Sequence, residues 1–340
     1  MTKRELPNLL CMNVYEAKKI SKLGKGVVVA VVNSGIDYNH RKLRHAFLKE
    51  KGVNFVDWCY DERGELVYEI AANKKRKLKV SSDYDSRVPL DNNGHGTAVA
   101  GIIAARRLGI APRCKLYSVQ VTDSKGKIMR QYPIFLNALK WCIDREDIDI
   151  INVSAGFRTP IEGLEAICKE ACDKGKIIVA AAGNYATGVD FPSVYESTIS
   201  VGAGDDNKTH CLFSSKNAYV DFCAPGLNFF TLSISLNRDY ERAYTLASGT
   251  SFAAPHLTGI IALGLSFLKS GKHKVDVCGV RNLLKEASSM PPFDENGTRE
   301  TMAKYRFEGL SPEQFTKYMF GYGFVDALKF VNLCKSRTQK

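Results

Sequence analysis

A serine and a histidine in short glycine-bounded segments are the side chains of this chain best suited to covalent chemistry. His95 lies in NGHGTAVAG at 93–101, and Ser251 lies in SGTSFAAPH at 248–256. Such a pair can form a nucleophile and the base that takes its proton, provided that the fold brings the two side chains together. Neither segment is specific alone, because Gly-His-Gly is often a turn and Gly-Thr-Ser is often a helix cap.

The residues around this pair predict the strands and helices that would position it. VVVAVVNSGID at 27–37 begins as a β-branched run typical of a strand buried on both faces of a parallel sheet, and that run ends at Asn33. His95 leads into AVAGIIAA, which favours a helix packed closely on the sheet. Ser251 begins a longer apolar run, FAAPHLTGIIALGLSFL, which suits a core helix and is too short and interrupted for a membrane span. Open α/β sheets bind ligands at the carboxyl ends of their strands, where Asn33 would lie.

In this order, the three segments resemble those that carry the acid, base and nucleophile of the subtilisin family of serine proteases. The resemblance implies an α/β fold with a mostly parallel central sheet and helices on both faces. It also implies a serine endopeptidase that cleaves peptide bonds through an acyl-enzyme on Ser251, with His95 as the base. The position of the acid is occupied by Asn33.

Asn33 is expected to attenuate the activity strongly. A neutral amide can accept a hydrogen bond from the imidazole, but it cannot stabilise the imidazolium, and its NH2 group favours the wrong tautomer. Loss of the acid in other triads suggests a reduction of about 10³ to 10⁵-fold. A naturally attenuated member and a deliberate substitution both remain open as explanations. The alternative function is a non-catalytic pseudoprotease that binds peptides or regulates a partner.

Asp37 is a candidate substitute for the missing acid, because it follows Asn33 by four residues. A sharp turn at Gly35 would let its carboxylate approach His95. The competing interpretation is a carboxylate that caps a turn or lies on the surface.

The resemblance extends to residues that would bind the substrate. INVSAG at 151–156 resembles the family's substrate-aligning strand, so Ser154, Ala155 and Gly156 would hold an extended peptide by β-augmentation. IIVAAAGN at 177–184 resembles the segment of the oxyanion-hole asparagine, which gives Asn184 that role beside the backbone amide of Ser251. GVDFPSVYESTISVGA at 188–203 resembles the strand that lines the S1 pocket and assigns Asp190 to its floor. An acidic floor would select Lys or Arg at P1; otherwise Asp190 is a surface loop residue.

Length and patterning predict one catalytic domain at 26–335 after an N-terminal extension at 1–25. The 340 residues are 45% hydrophobic, and neither a Pro/Ser-rich linker nor an internal repeat divides them. Variable insertions are predicted at about 57–90, with a solvent-facing hairpin around NKKRKLKV at 73–80, and at about 288–318, with a loop and a short helix starting near 311–312. LPNLL at 6–10 would be either a short inhibitory segment or a strap packed on the surface.

Cysteine usage predicts a reducing, cytoplasmic location. Ten cysteines are scattered through apparent core elements without CxxC spacing, as reduced thiols would be. The N-terminal residues lack the features of a secretory signal, so the chain resembles the family's intracellular branch, although removal of an upstream prodomain would look the same.

No metal or other cofactor is predicted to be required. Cys168 and Cys172 have the spacing of the buried face of a helix. The Asn-rich loop that binds calcium in many relatives is missing after the His95 helix, which argues against a high-affinity structural calcium ion.

The predicted partners are peptide or protein substrates, with basic P1 residues if Asp190 lies in the S1 pocket. The net charge of +12 is densest at 73–80, where no aromatic residue alternates with the basic ones. That pattern argues against nucleic acid and favours a solvated face, and no membrane association is predicted.

Overall fold

The computed structural model describes residues 5–56, 89–91, 93–122, 132–188, 190–234, 243–271 and 276–338, together with the backbone of two short strands at 58–60 and 66–69. The predicted hairpin at 73–80 lies outside the described residues. The described strands are β1 (Val28–Asn33), β2 (Phe47–Asn54), β3 (Trp58–Tyr60), β4 (Leu66–Glu69), β5 (Lys115–Gln120), β6 (Ile150–Val153), β7 (Ile177–Ala181), β8 (Thr198–Gly204), β9 (Phe222–Pro225), β10 (Phe229–Leu232), β11 (Tyr244–Ala247), β12 (Ser288–Ser289) and β13 (Phe324–Val325).

The helices pack around these strands. In chain order they are α1 (Pro7–Leu10), α2 (Val14–Ile20), α3 (His95–Ala104), α4 (Tyr132–Asp144), α5 (Leu164–Asp173), α6 (Thr250–Leu268), α7 (Val277–Ala287), α8 (Glu295–Lys304), α9 (Pro312–Phe320) and α10 (Ala327–Arg337), with short 3₁₀ turns at Arg44–Ala46 and Lys269–Gly271.

A nine-stranded sheet forms the centre of the fold, in the order β12-β13-β9-β8-β7-β6-β1-β5-β2. Its neighbouring strands are parallel except for the antiparallel pair β12 and β13. The β-branched run that ends at Asn33 is β1, which lies between β5 and β6. The predicted α/β class with a mostly parallel sheet is therefore confirmed.

Side chains that alternate along β1 enter two different apolar layers. Val29 and Val31 pack into the cluster that contains residues of α3, α6, α7 and α10. Ala30 and Val32 pack on the other side, with residues of α4 and α5. Because both faces of the sheet are covered by helices, an uninterrupted apolar strand is the pattern that the sequence has to show.

The helix that starts at Ser251's segment, α6, is a core helix. It is the one helix in the described ranges that is long and apolar enough to cross a membrane, but 94% of its most apolar window is buried inside the fold. It packs on β7 and β8 and against α10, so its apolar character is explained by burial between the sheet and neighbouring helices.

The predicted variable insertion at about 288–318 contains more helix than predicted. α9 begins at Pro312 after a capping box formed by Ser311 and Gln314, as expected. Residues 295–304, predicted as loop, form α8. The side chain of Asp294 accepts a hydrogen bond from the backbone of Gly297, and Glu295 pairs with Arg299 one turn later, so local capping sustains this exposed helix.

The N-terminal helix α1 contacts α6, which agrees with the interpretation of LPNLL as a packed strap. Asn8 and Leu9 are buried, and Asn8 Nδ2 donates to His256 Nε2 at 2.8 Å. His256 Nδ1 lies 2.8 Å from the carbonyl oxygen of Phe252, to which it donates. Burial lowers the pKa of His256 to about 4, so the neutral ring at pH 7 needs one acceptor and one donor partner.

Replacing Asn8 should therefore destabilise the fold. Asn8→Ala leaves the buried Nε2 of His256 without its donor, and we expect a loss of about 1–3 kcal/mol in the free energy of unfolding. Urea unfolding at pH 7 measures it, with Ser251→Ala in every variant to prevent self-cleavage. Asn207→Ala, at an exposed turn, is the matched control. Equal stabilities of the two variants would contradict the role of the Asn8–His256 contact.

Candidate active site

Three element ends converge to form the candidate site. β1 ends at Asn33, α3 begins at His95, and Ser251 is the second residue of α6. Gly96 makes the approach possible, because a Cβ atom there would lie 2.0 Å from the carbonyl oxygen of Gly35. The first turn of α3 therefore lies directly on the loop that follows β1.

Asn33 and His95 are joined by a hydrogen bond whose direction is fixed. Asn33 Oδ1 lies 2.8 Å from His95 Nδ1 and also accepts the backbone N–H of Ser34 at 2.8 Å. An atom that accepts from Ser34 is the amide oxygen, so Nδ1 of His95 must be the donor. The geometry thus holds the productive tautomer, with Nε2 free to accept a proton, and differs from the expectation that the NH2 group faces the ring.

The nitrogen of the Asn33 amide lacks a partner among the residues that the structure describes. Asn33 is buried, and its Nδ2 makes no hydrogen bond to any residue that the structure describes. A buried donor without an acceptor costs about 1–3 kcal/mol.

His95 lies between the uncharged residues of α6 and a buried carboxylate. Its ring centroid is 4.9 Å from that of Phe252, the residue after Ser251. Burial lowers the pKa of His95 below its usual value, while the Asp91 carboxylate acts in the opposite direction. The ring is consequently neutral near pH 7, as a general base has to be.

Asp91 is a residue of the site that sequence reasoning missed. It is buried, and its carboxyl oxygens accept hydrogen bonds from the backbone of the His95 loop and from the side chain of Ser34. The available signal was an aspartate four residues before a helix start, a position at which side chains cap turns and helices.

Asp37 has the geometry of a turn cap. Its Oδ1 accepts the backbone N–H of Asn39 at 3.1 Å, and its own N–H donates to Thr97 Oγ1 at 2.9 Å. These contacts support the turn-capping interpretation over that of a substitute acid.

Asn184 lies beside the start of α6 with its amide oriented. Its Oδ1 accepts both the backbone N–H of Thr250 at 2.8 Å and Thr250 Oγ1 at 3.0 Å. Because the oxygen is held by Thr250, the Nδ2 group is turned away from these donors, and the side chain itself is exposed. The amide of Asn184 is thus an exposed donor held beside Thr250, the residue that precedes Ser251, and an oxyanion hole requires a donor of this kind.

The segment Ser154–Gly156 continues β6 past the sheet and is tied to α6. Ser154 Oγ donates to the carbonyl oxygen of Ser251 at 2.6 Å. Phe157, the residue after Gly156, pairs with Phe191 through two backbone hydrogen bonds. Gly156 is exposed and Ala155 is half-buried, so the backbone here is accessible to a peptide.

Asp190 lies below this edge, against the segment that carries Asn184. Its Oδ2 is 3.6 Å from where a Cβ of Gly156 would stand and 2.5 Å from that of Gly183. Its Oδ1 is buried and makes no hydrogen bond within the described ranges. Burial raises the pKa of Asp190 to about 6, against an opposing effect of Arg158. A buried carboxylate next to two glycines, whose Oδ1 lacks a partner among the described residues, has the charge to accept a cationic side chain.

The described residues contain no group of three or more His, Cys, Asp or Glu side chains that could hold a metal ion. Cys168 faces the core from α5, and burial raises the pKa of its thiol to about 12, which disfavours the thiolate needed by a metal. The predictions about calcium and other cofactors remain predictions.

Comparison of the sequence with known families finds one match over most of its length. The sequence model described as Peptidase S8, the subtilase family, matches residues 24–323. Subtilisin E of Bacillus subtilis is 34% identical over 253 residues, which cover 72% of this chain and 56% of that protein. The major intracellular serine protease of the same bacterium is 32% identical over 255 residues, covering 72% of this chain and 70% of that protein. The match to Subtilisin E thus spans little more than half of that relative's length.

Two solved structures share the fold at low sequence identity. A lanthipeptide protease superposes with a TM-score of 0.70 at 21% identity, covering 96% of this chain and 95% of its own. A cold adapted subtilisin-like serine proteinase gives a TM-score of 0.63 at 24% identity, covering 78% of this chain and 84% of its own. At these identities, the two structures show that the overall fold is shared.

Proposed function

This chain belongs to the subtilase family of serine proteases, and we propose on that premise that it is an endopeptidase that cleaves peptide bonds through an acyl-enzyme on Ser251. The observation that carries the proposal is the hydrogen bond from His95 Nδ1 to Asn33 Oδ1, which leaves Nε2 as the proton acceptor. Peptides or proteins are the substrates of this family.

In the proposed reaction, His95 Nε2 takes the proton of Ser251 as Oγ attacks the scissile carbonyl carbon. The carbonyl oxygen becomes an oxyanion that receives hydrogen bonds from Asn184 Nδ2 and the backbone N–H of Ser251. The imidazolium then gives its proton to the leaving amine, and water releases the acyl group by the same steps. The peptide is aligned along Ser154–Gly156. These steps use groups of the chain itself and require no cofactor.

Asn33 makes the proposed enzyme slow. Its amide orients the imidazole but brings no charge to balance the imidazolium, which forms in a buried environment that disfavours it. We therefore propose an activity reduced by about 10³ to 10⁵-fold relative to the same site with aspartate. A pseudoprotease that binds peptides without turnover is the second candidate, and Asn33 is the observation that favours it.

Active-site labelling separates these two functions. A fluorophosphonate probe reacts with a serine only where a base and an oxyanion hole are assembled, so we expect slow, covalent labelling of Ser251, located by mass spectrometry. Ser251→Ala provides the blank, and labelling after EDTA treatment is expected to match labelling without it. If both the parent and Asn33→Asp label no faster than the blank, the protein is a pseudoprotease.

Asp190 is proposed to select Lys or Arg at P1, and this selectivity should depend on pH. A pKa raised to about 6 means that the carboxylate is ionised above that pH and neutral below it. We expect the ratio of kcat/KM for a P1 Lys substrate to that for its P1 Leu counterpart to fall about tenfold between about pH 7.5 and about pH 5. Taking the ratio cancels the titration of His95, which affects both substrates.

Asp190→Asn is the matched variant for this measurement. The amide keeps the shape of the side chain but carries no charge, so the ratio should be low and independent of pH. A parent ratio that stays constant over the same pH range, or a preference for Leu at every pH, would remove Asp190 from the S1 pocket.

We also propose a cytoplasmic location. The support is that the nine cysteines whose side chains the structure describes are free thiols, and that one relative is named an intracellular protease. Titration of the unfolded chain with a thiol reagent should count all ten cysteines of the sequence. A lower count, restored by reduction, would indicate disulfides and an oxidising compartment.

A further inference from the structure

The carboxylate of Asp91 lies behind the residue that occupies the acid position. Ser34 Oγ donates to Asp91 Oδ1 at 2.9 Å, and the backbone N–H of Ser34 donates to Asn33 Oδ1 at 2.8 Å. Asn33 Oδ1 in turn accepts the Nδ1–H of His95. Ser34 therefore connects Asp91 to Asn33, with its hydroxyl bonded to one and its backbone N–H bonded to the other, and Asn33 contacts the imidazole.

The same carboxylate holds the loop from which His95 projects. Asp91 Oδ1 also accepts the backbone N–H groups of Asn93 and Gly94, both at 2.9 Å. Its Oδ2 accepts the backbone N–H of Thr97 at 2.9 Å and Thr97 Oγ1 at 2.6 Å. Among the described residues, the groups within hydrogen-bond distance of the two oxygens are all donors, which suits a carboxylate. The turn that leads into α3 is consequently held together by one buried carboxyl group.

Among the described residues around His95, Asp91 is the one whose charge opposes the effect of burial on the pKa of the ring. Asn33 approaches from β1 and is neutral, and Phe252 approaches from α6 and is apolar. Asp37, on the loop after β1, uses its carboxylate for the turn at Asn39. Asp91 is the group whose charge favours the protonated imidazole.

We propose that Asp91 is a positioning residue of this active site, which supplies from behind Asn33 both the fixed loop geometry and the negative charge that Asn33 cannot give to His95. The inference rests on the proposed function for its effect on turnover, but the effect on His95 exists without turnover. In a chain with asparagine at position 33, this more distant carboxylate becomes the principal source of electrostatic support for the imidazolium.

Asp91→Asn tests the charge while keeping the shape of the side chain. We expect the pKa of His95, followed by NMR in protein carrying Ser251→Ala and assigned with His95→Gln, to fall by about 0.5–1 unit. Asp37→Asn removes a neighbouring buried charge and is the matched control, with an expected change below about 0.2 unit. Equal shifts in the two variants, or no shift in Asp91→Asn, would overturn the proposal whether or not the protein is a protease.

Kinetics test the relation between Asp91 and Asn33. Asp91→Asn should lower kcat about tenfold in the parent but less than about threefold in the Asn33→Asp background, because a carboxylate in direct contact with His95 dominates there. A merely structural role would give the same loss in both backgrounds, and that result would contradict the proposal. Failure of the protease function itself would appear as an absence of Ser251 labelling, with the NMR result unaffected.

Ser34→Ala provides a second variant if Asp91→Asn does not fold. It removes the donor to Asp91 and the acceptor of the Gly96 N–H, and it retains the carboxylate. Asn33 is then less firmly held, and we expect a smaller fraction of the Nδ1-protonated tautomer of His95, measured from its ring ¹⁵N shifts. An unchanged tautomer population would overturn the positioning role of the Asp91–Ser34 connection.

Discussion

Asn33→Asp should raise kcat/KM by about 10³ to 10⁵-fold, equivalent to about 4–7 kcal/mol of transition-state stabilisation. The carboxylate would stand where Asn33 Oδ1 now lies, 2.8 Å from His95 Nδ1. At that distance a negative charge stabilises the imidazolium that forms as Ser251 loses its proton. The gain comes from charge rather than orientation, because the asparagine already holds the productive tautomer.

The pH dependence of kcat/KM shows whether the gain in Asn33→Asp comes from the negative charge beside His95. Burial keeps the pKa of His95 low in the parent, and a carboxylate in contact with the ring should raise it. We expect kcat/KM of the parent to keep rising with pH in alkaline solution, where hydroxide takes over the role of His95 as the base. The Asp variant should instead reach a plateau once His95 is neutral.

Steady-state cleavage of a P1 Lys peptide, with Ser251→Ala in each background as the blank, measures this effect. Asn207→Asp adds the same charge at an exposed turn and should change kcat/KM by less than about twofold. A rise of less than about tenfold in Asn33→Asp, with Ser251 still labelled by the probe, would show that another step limits the parent.

Much of the fold could be predicted because its main signals lie within short, continuous segments of the chain. The β-branched run of β1 and the long apolar run of α6 bury on both sides, so their sequences contain few polar residues. Chain order then determines which ends of these elements face the cleft. The segments of Asn33, His95 and Ser251 could be assigned to one site because, in this order, they resemble the acid, base and nucleophile segments of the subtilisin family.

The features that escaped prediction depend on single contacts between distant residues. Asn8 binds His256 across 248 positions, and no periodicity signals such a pair. The orientation of the Asn33 amide depends on one backbone N–H, that of Ser34, which a sequence pattern does not specify. α8 was missed because its stability comes from a cap at Asp294 within a polar segment. Asp91 gave no periodic signal either, since its donors come from three places in the chain: Ser34 after β1, the loop before α3, and Thr97 in α3.

Asn184→Ala should lower kcat by about 10² to 10³-fold and change KM by less than about threefold. The oxyanion exists in the transition state and not in the bound peptide, so loss of its donor affects the chemical step more than binding. Rates are best measured in the Asn33→Asp background, where the remaining activity is large enough to quantify. A rise in KM that accounts for the whole loss would instead place Asn184 in peptide binding.

Thr250 provides a sharper test, because its hydroxyl and backbone N–H fix the oxygen of Asn184 and thereby aim Nδ2. Thr250→Val removes the hydroxyl and should cost about tenfold in kcat, whereas Thr250→Ser should retain most of the activity. If Thr250 acts through Asn184, then Thr250→Val should have little further effect in protein that already carries Asn184→Ala. Additive losses in the double variant would mean that Thr250 contributes separately, and the Asn184 amide would then owe its orientation to the backbone N–H alone.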